Sequence, residues 1–482
     1  MKKLVFGGIV VVVLLGAFVI STLYVNALNK KIYEDLDANS DAYISIFSKA
    51  MIKAMSVDST LLMMFGITDE GQAHAALGLE NYLKENISLS FSPYESGFLR
   101  SNAKITLYFK SIHSTVQGDV EFYNMPFGKR AEITLASPDL DKFKDGIFAK
   151  VSVYKGFDDT KLEIAATDVD VKDDDNALKL QGAKLSYDIN NGLKISEAKF
   201  ELKLFAYSWF LGNEREFALI KGAKSYQKYK EPVGLENIFD LSKEIASDFK
   251  GSVERIEAKF DDTEFKAENW DFKGEVTLAL AKRLVSGNVT SGLNKFTITD
   301  TYRYRDEKQM EILNLADMKL ELDFIKNLDA IPNTKPDEIQ RTEFVLKSAQ
   351  LLFDDKKIEL TSNLSFAEVP IHEEFYYGST QEDIKYNLNV SSKYGVRELL
   401  ERYVKEGLLD TNNEIFVIGD EIFKKDEKSG KHTLTLALEA KTLMHNPHIL
   451  INGEDICKTS FGAELALCFG SIDDTSDDED DE

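Results

Sequence analysis

The sequence predicts an α+β protein that is mainly β: an N-terminal transmembrane helix and helical stalk followed by large antiparallel β-sheet regions capped by a few helices. Three observations predict it. No charged residue occurs between Leu4 and Asn29. From about Asn86 onward the apolar residues recur with period two rather than 3.6. Two stretches interrupt that period with apolar residues at helical spacing.

The first element, residues 1–29, is a signal-anchor whose apolar side chains include Leu4, Val10, Val12, Leu15, Phe18, Ile20 and Val25. About 20 apolar residues at about 1.5 Å each cross a bilayer core, so the run is long enough to span. Lys2 and Lys3 precede it, whereas Lys30 and Lys31 are followed at once by Glu34, Asp35 and Asp37, which favours a cytoplasmic N-terminus. The competing reading is a signal peptide cleaved near Val25-Asn26-Ala27, but the apolar run exceeds the usual h-region.

Residues 30–85 follow as a helical stalk, with Tyr33, Leu36, Tyr43, Ile46, Phe47, Ala50, Met51 and Ala54 at helical spacing and a Met-rich end at Met51, Met55, Met63 and Met64. An adaptable Met contact surface is the alternative to a plain stalk.

Two β-rich regions come next, 86–233 and 234–470. Ile105, Leu107 and Phe109 alternate with polar or wet positions, as do Phe200, Leu202 and Leu204, then Leu320, Leu322 and Phe324, then Leu434, Leu436 and Leu438. Such alternation marks antiparallel sheet with one face buried. The capping helices are expected near 235–249, from Leu235, Ile238, Leu241, Ile245 and Phe249, and near 396–408, from Val396, Leu399, Leu400, Tyr403 and Val404. Phe157-Asp158-Asp159, Phe260-Asp261-Asp262 and Phe353-Asp354-Asp355 recur between strands, which suits hairpin turns and hints at a duplicated meander. Two adjacent carboxylates supply too few oxygens for calcium. The final segment, 471–482, is an acidic tail expected to be disordered by self-repulsion.

The 58 basic and 82 acidic residues leave a net charge of −24, which argues against nucleic acid as a partner. No phosphate loop or nucleophile elbow is present, and no cofactor is expected. His372-Glu373-Glu374-Phe375-Tyr376 lacks the second histidine of a zinc protease helix. His445 and His448, with Glu454 and Asp455 nearby, read better as a solvated turn than as metal ligands. Cys457 and Cys468 are a candidate disulfide in an oxidising compartment, with a buried thiol as the alternative. No catalytic constellation stands out.

The stretch Ile87 to Ser101 followed by the strand Asn102 to Phe109 resembles the opening of the YdgA-like family, bacterial proteins with a Tyr-x-x-Gly-hydrophobic-x-x-Ser element after an N-terminal anchor. Tyr94, Gly97 and Ser101 match it. Thr433 to Leu443 and the following Ile449-Leu450-Ile451-Asn452-Gly453 resemble the family's closing hairpin. Where members often have His-Gly-Pro-Phe, this chain has Asn124-Met125-Pro126-Phe127, so a role tied to that histidine does not transfer. From the residues themselves, Gly97 is expected to turn the chain at positive φ, and Tyr94 and Phe98 to pack on the sheet.

The resemblance implies a protein of the bacterial inner membrane, single-pass, with a periplasmic β-rich body. The expected function is a non-enzymatic scaffold or assembly and binding protein of the cell envelope, with envelope proteins or lipids as partners. The alternative is a lipid or apolar-ligand binding or transfer protein using a groove in the β-body, for which 31 Phe and 19 Tyr would supply the lining.

Overall fold

The computed structural model describes residues 2–40, 81, 85–110, 113–125, 128–140, 143–156, 159–172, 176–190, 194–211, 214–234, 244–261, 263–279, 284–301, 309–327, 341–373, 376–407, 409–442 and 448–458. The side chains of the first helix are described from residue 18 onward. Most of the expected stalk, the acidic tail, the Met-rich segment, His445 and Cys468 lie outside these residues. The chain forms two compact units, Met1–Asp261 and Asp262–Glu482.

Unit 1 begins with α1, Lys2–Ala38, an unbroken helix that carries the apolar run and the start of the expected stalk. Among the residues whose side chains are described, which in α1 begin at residue 18, no helix is long and apolar enough to cross a membrane. Three antiparallel strands follow: β1 (Ile87–Phe91), β2 (Arg100–Phe109) and β3 (Ser114–Tyr123). The meander continues through β4 (Gly128–Ala136), β5 (Ile147–Lys155) and β6 (Asp159–Ala166). β9 (Lys184–Asn190) then pairs with β6, while β7 (Val169–Lys172) pairs with β8 (Asn176–Gln181). β8 and β9 lie end to end along the 18-residue β10 (Lys194–Leu211), which pairs in turn with β11 (Glu214–Gly234) and that with β12 (Glu244–Phe260).

The helix expected over 235–249 is not formed at its C-terminal part, because Glu244 to Phe249 belong to β12. Ile245 and Phe249 fit helical spacing, but residues 245, 247 and 249 also share one face of a strand. The ladder from Tyr229–Ser247 to Phe217–Lys259 lets β11 satisfy that strand's backbone and decides between the two. The same ladder ties β12 to the preceding sheet, so the units divide after Asp261 rather than after residue 233.

Unit 2 is a meander of long strands: β13 (Thr263–Ala279), β14 (Leu284–Thr301), β15 (Gln309–Asn327), β16 (Arg341–Phe353), β17 (Lys356–Glu373) and β18 (Tyr376–Ser392). After the helices come β19 (Lys424–Lys425), β20 (His432–Thr442), β21 (His448–Ile451) and β22 (Glu454–Asp455). β20 pairs with β18, so the chain returns to the sheet it left.

The helix expected at 396–408 is present as two short pieces, α2 (Val396–Leu399) and α3 (Glu401–Lys405), and a further helix, α4 (Glu414–Ile422), follows. Asn413 caps α4 by accepting from the Ile415 amide at 3.0 Å, satisfying one of its free donors. The Phe-Asp-Asp reading holds at residues 353–355. Phe353 pairs with Lys356 across a two-residue turn whose Asp354 and Asp355 both have positive φ, as the right-handed twist of a hairpin requires. α3 sits on this turn: the Arg402 Nε donates to Asp354 Oδ2 at 3.0 Å, and Tyr403 stacks on Phe353 at 6.0 Å. Asn452-Gly453 likewise closes β21–β22 with both residues at positive φ, a conformation Gly adopts without strain.

Candidate functional site

Tyr94, Gly97 and Ser101 converge on α1. Val25 and Thr22, with Asn29 and Tyr33, form one buried stripe of the helix at helical spacing, and β1, β2 and β3 lie beneath it. The Asn26 side chain sits at the centre of a polar network. Its Oδ1 accepts from the Tyr94 hydroxyl at 3.0 Å and from Ser101 Oγ at 3.1 Å, while its Nδ2 donates to Ser96 Oγ at 2.8 Å and to the Gly97 carbonyl at 3.2 Å. Ser101 Oγ in turn accepts from the Gly97 amide at 3.1 Å and from Asn124 Nδ2 at 2.9 Å.

Asn124 completes the site from the far side. It is fully buried, donates to the Gly97 carbonyl at 2.8 Å and accepts from Asn29 Nδ2 at 3.0 Å, while its backbone amide donates to the Leu99 carbonyl at 2.9 Å. One helical turn on, the Tyr33 hydroxyl is shared between the Ser92 and Lys104 carbonyl oxygens, 2.9 Å from each. Its ring meets Phe91 and Phe122 edge-on at 5.6 and 5.9 Å. Burial pushes the Tyr33 and Tyr94 phenols above their ordinary values, which keeps both as proton donors. A buried polar cluster is favourable only when its members are satisfied, and here the partners come from the helix, the 92–99 loop, the start of β2 and the residue that follows β3 together.

Two sequence expectations are corrected here. Gly97 does not adopt positive φ. Glycine is needed because a Cβ at this position would stand 2.1 Å from the Arg100 carbonyl oxygen. Tyr94 packs in the aromatic cluster as expected, 5.3 Å from Phe122, but Phe98 does not pack: it is 47 % exposed. Locking the backbone of residues 97–99 onto Asn124 turns the Phe98 side chain outward.

Of the remaining candidates only Val25 borders this site, through the buried stripe of α1. Val25 is buried against unit 1 and Ile20 is exposed, whereas the side chains of Leu4, Val10, Val12 and Leu15 lie outside the described residues. Cys457 is disulfide-bonded. Among the described residues no three His, Cys, Asp or Glu side chains gather in a way that could hold a metal. His448 is exposed, 3.8 Å from Asp455.

A second candidate surface lies in unit 2. Register places Phe324, Phe344, Leu364, Tyr386 and Leu438 in one cross-strand row, and Leu320, Ala349, Leu360, Val390 and Leu434 in another. The alternating strands read separately in the sequence thus meet on one apolar face five strands wide. Its side chains are half-buried rather than buried, and Ala349, Leu360, Val390 and Leu434 of the second row line an open groove of about 440 Å3.

Asn26, Asn29, Tyr33 and Asn124 were not expected at a site. The signal was available: 26, 29 and 33 are polar positions at helical spacing at the end of an otherwise apolar run. No family model, curated protein or solved structure matches the chain.

Proposed function

We propose that this chain is a non-enzymatic, membrane-anchored protein of the bacterial cell envelope, held by α1 in the inner membrane with its β-body in the periplasm, where it acts as a scaffold or binding protein. The observation that carries this reading is the insertion of α1 into unit 1 through Asn26, Asn29 and Tyr33. Cleavage near Val25-Asn26-Ala27 would remove Thr22, Val25 and Asn26, take away the amide oxygen that the Tyr94 and Ser101 hydroxyls share and uncover the face the stripe buries, so a retained anchor fits the site better than a discarded signal peptide. Membership of the YdgA-like family is part of the same proposal, since Tyr94, Gly97 and Ser101 are used together. The test is the intact mass of the protein extracted from bacterial inner membranes. A mass beginning at Met1, with resistance to alkaline extraction, is expected, and a mature chain beginning near Ala27 in the soluble fraction would sink the reading.

A second reading, binding of a lipid or other apolar ligand, is favoured by the half-buried rows of unit 2. A contiguous apolar surface rimmed by polar residues is a usual mark of an interaction site. Mass spectrometry of an organic extract of the purified protein tests it: stoichiometric acyl lipid supports the reading, and an empty protein removes it.

A further inference from the structure

We propose that the tip of unit 1 formed by Phe98, Leu99 and Met125 is a membrane-interface seat, pressing into the headgroup region of the bilayer that α1 crosses. The inference rests on the anchored reading and adds to it where the body stands relative to the lipid.

Direction comes first. Along α1, Asn26 meets Gly97 and Ser101, and Tyr33 meets Lys104. About seven helical residues at about 1.5 Å match three strand residues at about 3.4 Å, so α1 runs alongside β2 and in the same sense. Followed back toward its N-terminus, the helix therefore leaves unit 1 past the 97–101 end of β2, the end that holds the tip. From Leu4 to Ser21 the run offers about 18 residues or about 27 Å, close to a hydrocarbon core, and the body takes hold of the helix from Thr22 onward.

Preorganisation comes second. Phe98 and Leu99 are each 47 % exposed and Met125 is 38 % exposed, yet the backbone beneath them is fixed by Asn124, which binds the carbonyls of residues 97, 98 and 99. Tyr24, at the same level on α1, is also exposed, an amphipathic ring of the kind that collects at membrane interfaces.

Charge comes third. Arg130 donates to the Met125 carbonyl at 3.2 Å, and among the described residues no carboxylate pairs with it. Burial works against its charge. A lipid phosphate at this level would supply the missing anion, and guanidinium suits phosphate geometrically.

The test uses the full chain in vesicles of phosphatidylethanolamine and phosphatidylglycerol, with an environment-sensitive fluorophore at single introduced cysteines and nitroxide lipids as quenchers. Phe98→Cys reports the seat, V12C the helix, and Lys110→Cys the opposite end of β2. Headgroup-nitroxide quenching at Phe98→Cys should exceed that at Lys110→Cys at least threefold, and V12C should be quenched by chain-labelled lipid. Quenching at V12C with Phe98→Cys no different from Lys110→Cys would overturn the seat and leave the anchor, the outcome expected if the tip meets another protein instead. No quenching at V12C would overturn the anchored reading and the seat with it. Arg130→Gln should at least halve the Phe98→Cys signal in these vesicles and leave it unchanged in vesicles of an uncharged galactolipid, which carry no phosphate; an equal loss in the two would remove phosphate as its partner.

Discussion

Units 1 and 2 both build antiparallel sheet from strands of alternating character, but they finish the apolar face in different ways. At the start of unit 1 a helix lies on the sheet. Tyr33, Ala103, Val120 and Phe122 are buried there, with Phe91, Tyr94 and Ile133 packed around them. On the unit 2 sheet a buried cluster of Phe366, Ile384 and Ala440 gives way, toward Leu438 and then Leu434, to two rows that stay half-buried. Alternation therefore prepares an apolar face but does not cover it. Cover comes from another element, and α1 supplies it only where its own polar side chains are met.

The comparison can be broken at its strongest point. Asn124→Leu keeps volume but removes one partner each from the Gly97 and Phe98 carbonyls, Ser101 Oγ and Asn29 Nδ2. At about 1 kcal/mol for each of the four side-chain hydrogen bonds lost, a loss of about 4 kcal/mol is expected in urea unfolding followed by a probe in unit 1. Unit 2 should respond less per residue. Phe366→Ala, at the centre of its small core, should cost about 3 kcal/mol, and Phe265→Ala, 36 % exposed, less than about 1 kcal/mol. Equal losses at the two phenylalanines would contradict a half-covered face.

The α3 contact on the β16–β17 turn sharpens the contrast, since it is a local cover within unit 2. Arg402→Met keeps the stem but leaves the largely buried Asp354 carboxylate without its guanidinium, at about 2 kcal/mol. Adding Asp354→Gly, which keeps positive φ available, should recover most of that loss in the same denaturation assay. If it does not, stacking of Tyr403 on Phe353 holds the helix rather than the ion pair.

Electrostatics on the strands is a smaller effect. Lys357 at 2.8 Å and Lys431 at 2.6 Å hold the Glu359 carboxyl down at about 2. With its folded value below the unfolded one, the group stabilises unit 2 above about pH 4.5, and the contribution is lost as pH falls toward 2. Exposure of the pair limits it to below about 1 kcal/mol, and Glu359→Gln should flatten that part of the acid-unfolding curve. Smallest is Thr22→Val. The Thr22 hydroxyl is buried with no partner among the described residues, so the change should be neutral or stabilising by up to about 1 kcal/mol in thermal unfolding; a clear loss would mean the hydroxyl is used.

Much of the strand content was legible, because period two and two-residue turns are local. Leu320 to Phe324 and Leu434 to Leu438 lie in strands as expected, and Asp354-Asp355 and Asn452-Gly453 turn as their residue types demand. Residues 244–249 were misread because Ile245 and Phe249 suit both periods, and the β11 ladder chose between them. The site was harder to see. Asn26 and Asn29 look like ordinary polar residues at the end of an apolar run, and Asn124 looks like a loop asparagine.

What local sequence settles here is the type of each element and which of its faces is apolar, since both follow from side-chain spacing over a few residues. Which face is covered, and by what, was settled by folding. Tyr94, Ser101 and Asn124 lie 68, 75 and 95 positions from the α1 asparagines they bind. Contacts at that separation leave no period in the chain, so a buried amide finds its role only when helix, loop and strand close around it.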